Sequence, residues 1–359
     1  MATKVEIQAA LERVIHKMKD LGNETDLVES CPISIIDMKH WEWAQGVGLY
    51  GLMRYYEETQ DATILRYLVE WYDDHISKGL PDKNVNTMCP MLTLSYVYEH
   101  TGHTDYLKLC AEWADWIMRE MPRTAENGLQ HVVSGEWNEG QLWDDTLFMT
   151  VLFLARMGKL LKRKDYVDES VRQFLVHLKY LIDKQTGLLL HGWSFAGRHN
   201  FADARWARGN CWYTAVVADY VDILGDDYAG VVMYLLDTLQ AQVQALEQLQ
   251  TDEGIWTTLL DDPLSYGEAS ATAGFAYGIL RSVRLGYLAQ EYKQMGIKAA
   301  EAVLRRIDAE GTVLDVSYGT GMGKDLDYYR EIPRCPMTYG QALTVLMLTE
   351  LYQVSDSLE

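Results

Sequence analysis

The sequence predicts an all-α protein, a closed ring of six inner helices wrapped by six outer ones. Three observations carry that prediction. Apolar residues recur at helical spacing along nearly the whole chain. Two kinds of helix alternate, one poor in charge and one with a charged face. The first helix is of the outer kind and the last of the inner kind, so the chain ends meet and close the ring.

The first outer helix is marked by Val5, Ile7, Ala10, Leu11, Val14, Ile15 and Met18, one stripe ended at Gly22-Asn23. Further amphipathic helices are predicted near 62–77, 104–120, 165–183, 228–249 and 288–307. Low-charge helices rich in Gly, Ala, Met and Leu are predicted near 46–57, 88–99, 145–159, 210–224, 270–284 and 339–353. A helix without a polar face must be surrounded by protein, whereas one with a polar face lies outside. Short strand candidates are confined to Gly187–Leu190 and Thr312–Val316. No Pro- or Ser-rich linker interrupts the alternation, so residues 1–359 read as a single domain.

Composition narrows the function. Hydrophobic residues make up 48% of the 359, enough for a large core, and the formal charge is −20. A phosphate backbone calls for a basic stripe, and there is none, so nucleic acid is excluded as a partner. No run is long enough to span a membrane, and the N-terminus lacks the apolar stretch of a signal peptide. Cys31, Cys89, Cys110, Cys211 and Cys335 are odd in number and widely spaced, which suits free thiols in a reducing compartment. A cytoplasmic protein is expected. No HExxH or similar spacing is present, and the histidines are scattered, so neither metal nor cofactor is expected. No GxSxG elbow occurs either.

Tryptophan placement points to sugars. Trp71, Trp113 and Trp116 fall inside outer helices and are assigned to the core. Trp41, Trp43, Trp137, Trp143, Trp193, Trp206, Trp212 and Trp256 fall mostly in segments leading into inner helices, which a toroid gathers at one end. With Asp, His, Arg and Asn between them, such rings suit a carbohydrate cleft, stacking on C–H faces while polar groups take hydroxyls. Asp144-Asp145 precedes an inner helix beside Trp143, where an acid can serve as a cap. His191 sits in Gly187–Trp193. Arg208 and Trp212, four apart, share a helix face. The Arg208 fork suits a sugar carboxylate, or a salt bridge to nearby Asp203. Gly319–Gly323 lacks the context of a phosphate loop and reads as a loop lining the cleft.

Trp143-x-Asp145-Thr-Leu-Phe-Met149, His191-Gly-Trp193 and Trp206-Ala-Arg208-Gly-Asn210-x-Trp212 together resemble the unsaturated rhamnogalacturonyl hydrolases, glycoside hydrolase family 105, related to the unsaturated glucuronyl hydrolases of family 88. The resemblance extends from the Trp41/Trp43 loop to Tyr339-Gly340-Gln341. It implies an (α/α)6 barrel and a small unsaturated oligosaccharide as partner, a product of a polysaccharide lyase. It also implies hydration of the C4=C5 double bond of a terminal unsaturated uronic acid rather than attack at the anomeric carbon. By the motif, Asp145 is the acid/base and Asp144 its capping neighbour. The substrate-binding candidates are Trp41, Trp43, Asn84, Asn86, Met88, His131, Trp143, His191, Trp206, Arg208, Asn210 and Trp212.

Family members commonly carry a second aspartate before the second inner helix; here that stretch reads Asp82-Lys83-Asn84-Val85-Asn86. The resemblance implies release of an unsaturated galacturonic acid from rhamnogalacturonan disaccharides, with an unsaturated glucuronyl hydrolase acting on ulvan or glycosaminoglycan products as the alternative, and two further rivals stand beside these. One is an inverting glycosidase on saturated sugars, with Glu42, Asp203 or Glu268 as the second carboxylate. The other is a sugar-binding relative without catalysis. The sequence does not define the oligomeric state.

Overall fold

The computed structural model describes residues 2–23 and 35–355. The outer helices are α1 (Lys4–Asp20), α3 (Ala62–Lys78), α5 (Thr104–Arg119), α7 (Lys164–Leu181), α9 (Ala229–Leu249) and α11 (Lys293–Leu304). The inner ones are α2 (Trp43–Thr59), α4 (Val85–Thr101), α6 (Leu152–Leu160), α8 (Ala207–Leu224), α10 (Ala269–Arg284) and α13 (Thr338–Ser355). A short helix, α12 (Leu326–Arg330), precedes the last. Each inner helix packs on the next, and α13 packs on both α2 and α1, so the ring closes with its ends joined.

The difference in burial between the two sets explains the alternation. On α1 only the predicted stripe, Ile7, Ala10, Leu11, Val14, Ile15 and Met18, is buried; Val5 is exposed. On α10 the buried run is continuous from Ala269 to Val283. Small residues let the inner helices approach one another. A Cβ on Gly278 would lie 2.1 Å from the Thr214 carbonyl oxygen of α8, so that contact requires glycine. Caps fix where the helices start. Thr3 and Glu6 form a capping box on α1, and Asn84 accepts from the Asn86 and Thr87 backbone on α4.

The strand candidates form only isolated bridges, Ile182 with Leu189 and Ile307 with Val313. The paired strands are β1 (Gln141–Trp143) and β2 (Gly192–Ser194), antiparallel with Leu142 opposite Trp193. The third inner helix does not begin at 145 as an α-helix. It opens with a π-turn over Leu147–Val151, directly after the two aspartates; such turns recur at functional sites. Cys89, Cys110, Cys211 and Cys335 are free thiols, while Cys31 lies outside the described residues. No described helix is long and apolar enough to cross a membrane.

Candidate active site

The segments entering the inner helices enclose a cavity of about 420 Å³. Trp43, Asn86, His131, Trp143, Asp145, Trp206, Arg208 and Trp212 line it, with Ile35, Glu42, Ser134, Glu136, Thr320 and Gly321 among the others. The β1–β2 pairing sets the acid's position. It brings Trp143 opposite Gly192, and the Asp144 N–H donates to the His191 carbonyl at 3.1 Å. Asp145 then faces the cavity with a side chain 17% exposed, while Asp144 behind it is 1% exposed.

Asp144 does not cap the helix. The Asp144 and Asp145 backbone carbonyls start the turn, accepting from Leu147, Phe148 and Met149. Neither Asp144 carboxyl oxygen has a side-chain partner among the described residues apart from the Asp145 carboxyl beside it, and the backbone N–H groups of Asp144 and Asp145 are the other donors near it. Burial, reinforced by the Asp145 charge, holds the Asp144 carboxyl well above the usual range. For Asp145 burial also acts upward, but His131, the hydrogen bond from Asp144 and His191 outweigh it and leave the group low. Burial drives His131 to about 4 and His191 to about 3, so both rings are neutral at neutral pH. With both rings neutral, the hydrogen bonds from Asp144 and from the Asp145 backbone N–H are what hold Asp145 low in the free site.

Each histidine has a fixed orientation. His131 Nδ1 lies 2.9 Å from Thr146 Oγ1, and its ring stacks on Trp143 at 4.2 Å. His191 Nδ1 lies 2.7 Å from the Tyr329 hydroxyl, leaving Nε2 4.0 Å from Asp145 Oδ1. His191 thus sits behind the acid rather than on the cavity wall. Tyr329 has no sequence signal beyond its place after the Gly319–Gly323 loop, which does line the cavity through Thr320 and Gly321. Oxygen and nitrogen atoms of Asp144, Asp145 and His191 come within 4.8 Å of one another, the one such cluster of three acidic, cysteine or histidine side chains among the described residues.

Arg208 is held differently from the expected free fork. Its Nη1 donates to the Ser317 carbonyl at 3.2 Å and to Ser317 Oγ; its Nη2 donates to the Tyr318 carbonyl at 3.2 Å and to Thr320 Oγ1 at 2.8 Å. The neighbouring acid is Glu268, 4.0 Å away, not Asp203. Burial opposes its charge, but Tyr339 and Glu268 more than offset that, so the guanidinium stays charged. Only Nε lacks a partner among the described residues, as does Trp206 Nε1.

Besides His191, four expected binding residues lie off the cavity wall. The Trp41 indole is a core ring, stacked on Trp71 at 5.3 Å and donating to the Thr87 carbonyl at 2.8 Å. Asn84 is spent as the cap of α4 and donates to Ser134. Met88 is fully buried beneath it. Asn210 clamps the His191 segment instead, bonding Leu189 N at 2.7 Å, Leu189 O at 2.8 Å and Trp206 O at 2.9 Å. Of the other tryptophans, Trp256 is core, Trp193 packs on Tyr180, and Trp137 is 58% exposed.

The family model of Glycosyl Hydrolase Family 88 matches residues 14–355. The chain belongs to glycosyl hydrolase family 88. Within that family it is 32% identical over 321 residues to the unsaturated rhamnogalacturonyl hydrolase YesR of Bacillus subtilis, covering 89% of this chain and 91% of that one. It is 23% identical over 323 residues, 86% of this chain and 77% of the other, to an unsaturated 3S-rhamnoglycuronyl hydrolase of Alteromonas. A crystal structure from Klebsiella pneumoniae, described as a possible member of the GH105 family, superposes with a TM-score of 0.94 at 46% identity, covering 99% of this chain and 95% of that one. The family 88 chain is therefore a glycoside hydrolase with the (α/α)6 ring that the helix alternation predicted.

Proposed function

We propose that the enzyme removes an unsaturated galacturonic acid from the non-reducing end of rhamnogalacturonan disaccharides made by a lyase. One observation carries this reading. A partly exposed carboxyl, Asp145, lines the same cavity as a cationic side chain, Arg208, and an indole, Trp206. The Arg208 charge suits the uronate carboxylate, and the Asp145 carboxyl suits the double bond. Asp145 gives its proton to C4; the π electrons form that C–H bond, and the positive charge left at C5 is shared with the ring oxygen. Water adds at C5 and returns a proton to Asp145. The hemiketal then opens and releases the second sugar. One carboxyl thus acts as acid and then as base, so the two-carboxylate spacing of ordinary glycosidases does not apply.

Trp43 and Trp212 offer ring faces and edges to the sugars, and Asn86 and His131 offer polar contacts. The neutral sugar would sit toward Glu42 and Ser134. Soluble action on small oligosaccharides in the cytoplasm accords with the free thiols. The test is loss of the ultraviolet absorbance of the conjugated uronate, with a panel of pectin, ulvan and glycosaminoglycan disaccharides compared by initial rate. Asp145→Asn is expected to lower kcat by at least about 100-fold; full activity in that variant sinks the assignment. A second reading has one observation in its favour: Glu42, although it caps α2 and accepts from Ser134, lines the same cavity with its carboxyl raised by burial, whereas Glu268 is fully buried away from it. Turnover of a saturated glycoside as fast as the unsaturated one would favour that inverting mechanism.

A further inference from the structure

The reaction just described needs a proton on a carboxyl at neutral pH, and an isolated aspartate does not hold one there. The geometry around Asp144 supplies a reason why this one can. Its two oxygens are enclosed, and a Cβ on Gly209 of α8 would come within 2.1 Å of Oδ2, so the carboxyl is packed against bare backbone. The groups facing the pair are His131 and His191, which are neutral, Tyr329 on α12, and Cys211 with Arg208 on α8. The one cation among them, Arg208, is already bound to the 317–320 loop and lies 4.0 Å from Glu268. Two adjacent buried carboxylates that receive only their own backbone N–H groups, with no cationic side chain in contact among the described residues, cannot both stay ionised in such a place.

Resting on the assignment of Asp145 as the acid, we infer that Asp144 is a positioning residue that shares one proton with Asp145 across the Asp144–Asp145 contact. In the free enzyme the proton sits on the deeper carboxyl, Asp144, and the more exposed Asp145 is the anion. When the unsaturated ring is bound, the proton passes from the Asp144 oxygen to an Asp145 oxygen, and from there to C4. The pair then carries two negative charges next to the positive charge forming at C5 and the ring oxygen, which offsets them. The water that adds at C5 gives up one proton to the pair, restoring the starting state. Atoms and charge balance, and no co-reactant is needed.

The test uses infrared spectra of the whole enzyme without substrate, and rates with the unsaturated disaccharide. At neutral pH the wild type is expected to show a protonated-carboxyl band that Asp144→Asn lacks; no band, or a band that persists in the variant, overturns the inference. In Asp144→Asn the alkaline limb of kcat/KM should move at least about one pH unit toward acid, a tenfold or greater loss at neutral pH that recovers on acidification. An unmoved limb with a uniform loss marks a merely structural role and also overturns it. Should that variant not fold, the wild type decides: its band must disappear over the same pH range as the alkaline limb, and a mismatch is fatal. Equimolar divalent metal in the purified enzyme, lost in Asp144→Asn, would mean that a cation occupies the place of the proton. If the wild type turns over no unsaturated disaccharide, the proposed function fails, while the infrared measurement still decides the proton.

Discussion

Replacing Asp144 with Asn should stabilise the protein at neutral pH while impairing it. The reason lies in proton linkage. An unfolded aspartate ionises near about 3.9, whereas the folded Asp144 is held well above that by burial and its charged neighbour. Folding therefore takes up a proton once the pH exceeds the unfolded value. A raised carboxyl contributes its full stability below that value and loses it as pH rises, by about 1.4 kcal/mol per pH unit. The cost therefore widens with each step of pH above the unfolded value for as long as the folded carboxyl keeps its proton. Asn has the same outline, fits against Gly209, and can donate an N–H to Asp145, so it avoids this cost with little change in packing. Urea denaturation of both proteins at several values between about pH 4.5 and 7 gives the difference curve. The expected curve is near zero at the acid end and grows in favour of Asn toward neutrality. A flat difference, or a variant less stable by a constant amount, refutes the reasoning, because it would show that no proton is taken up at this position.

Two further outcomes follow from the same structure. His131, His177 and His191 are pushed by burial to about 4, about 4 and about 3, below the unfolded value near 6.5. Their contribution is complete above that value and is lost as pH falls toward about 4, up to about 1.4 kcal/mol per pH unit each; His177→Gln, remote from the cavity wall, should remove one such share from urea-derived stability between pH 6.5 and 4. Asn210→Ala leaves the buried Leu189 N–H and carbonyl without their side-chain partner and should cost about 2–4 kcal/mol in chemical denaturation, with KM of the folded fraction little changed; a large KM effect at unaltered stability would return Asn210 to the binding wall.

The ring was legible because a helix buried on every side cannot carry charge, and that rule operates residue by residue. The site was legible only where a residue's type and its segment agree on one environment. Trp41 and Trp43 show the limit. They are two apart in one loop, yet Trp43 reaches the cavity and stacks on Tyr339 at 4.7 Å, while Trp41 turns under α3. Loop direction decides between them, and the sequence does not encode it in composition. Asn84 and Asn210 failed for a related reason. Each has a local backbone demand, a cap and a clamp, that outweighs any ligand. Asp144 looked like a cap because acids before helices usually are; the π-turn starts from backbone carbonyls and leaves the carboxyl unused. Tyr329 reaches His191 across 138 positions of sequence, and no local pattern announces such a contact.

An acidic protein acting on an anionic sugar presents an apparent conflict, given a formal charge of −20. Depth resolves it. Surface carboxylates are screened by salt within about 10 Å, whereas Arg208 is 1% exposed and its field is not. A buried cation normally calls for a carboxylate in direct contact, yet Glu268 stays 4.0 Å away and itself accepts from the Ser317 and Ala271 backbone N–H groups. The Arg208 charge is thus spread over carbonyls and hydroxyls of the 317–320 loop rather than neutralised. That arrangement leaves the Arg208 charge to attract an anion in the cavity it lines while the loop holds the guanidinium plane fixed. The same logic operates on the other side of the cavity with the sign reversed. There two carboxyls are left without a cation, and a proton is the smallest charge that can make up the deficit. The uronate end is then drawn toward the buried arginine, and the double bond toward the carboxyl pair that holds one proton between its members.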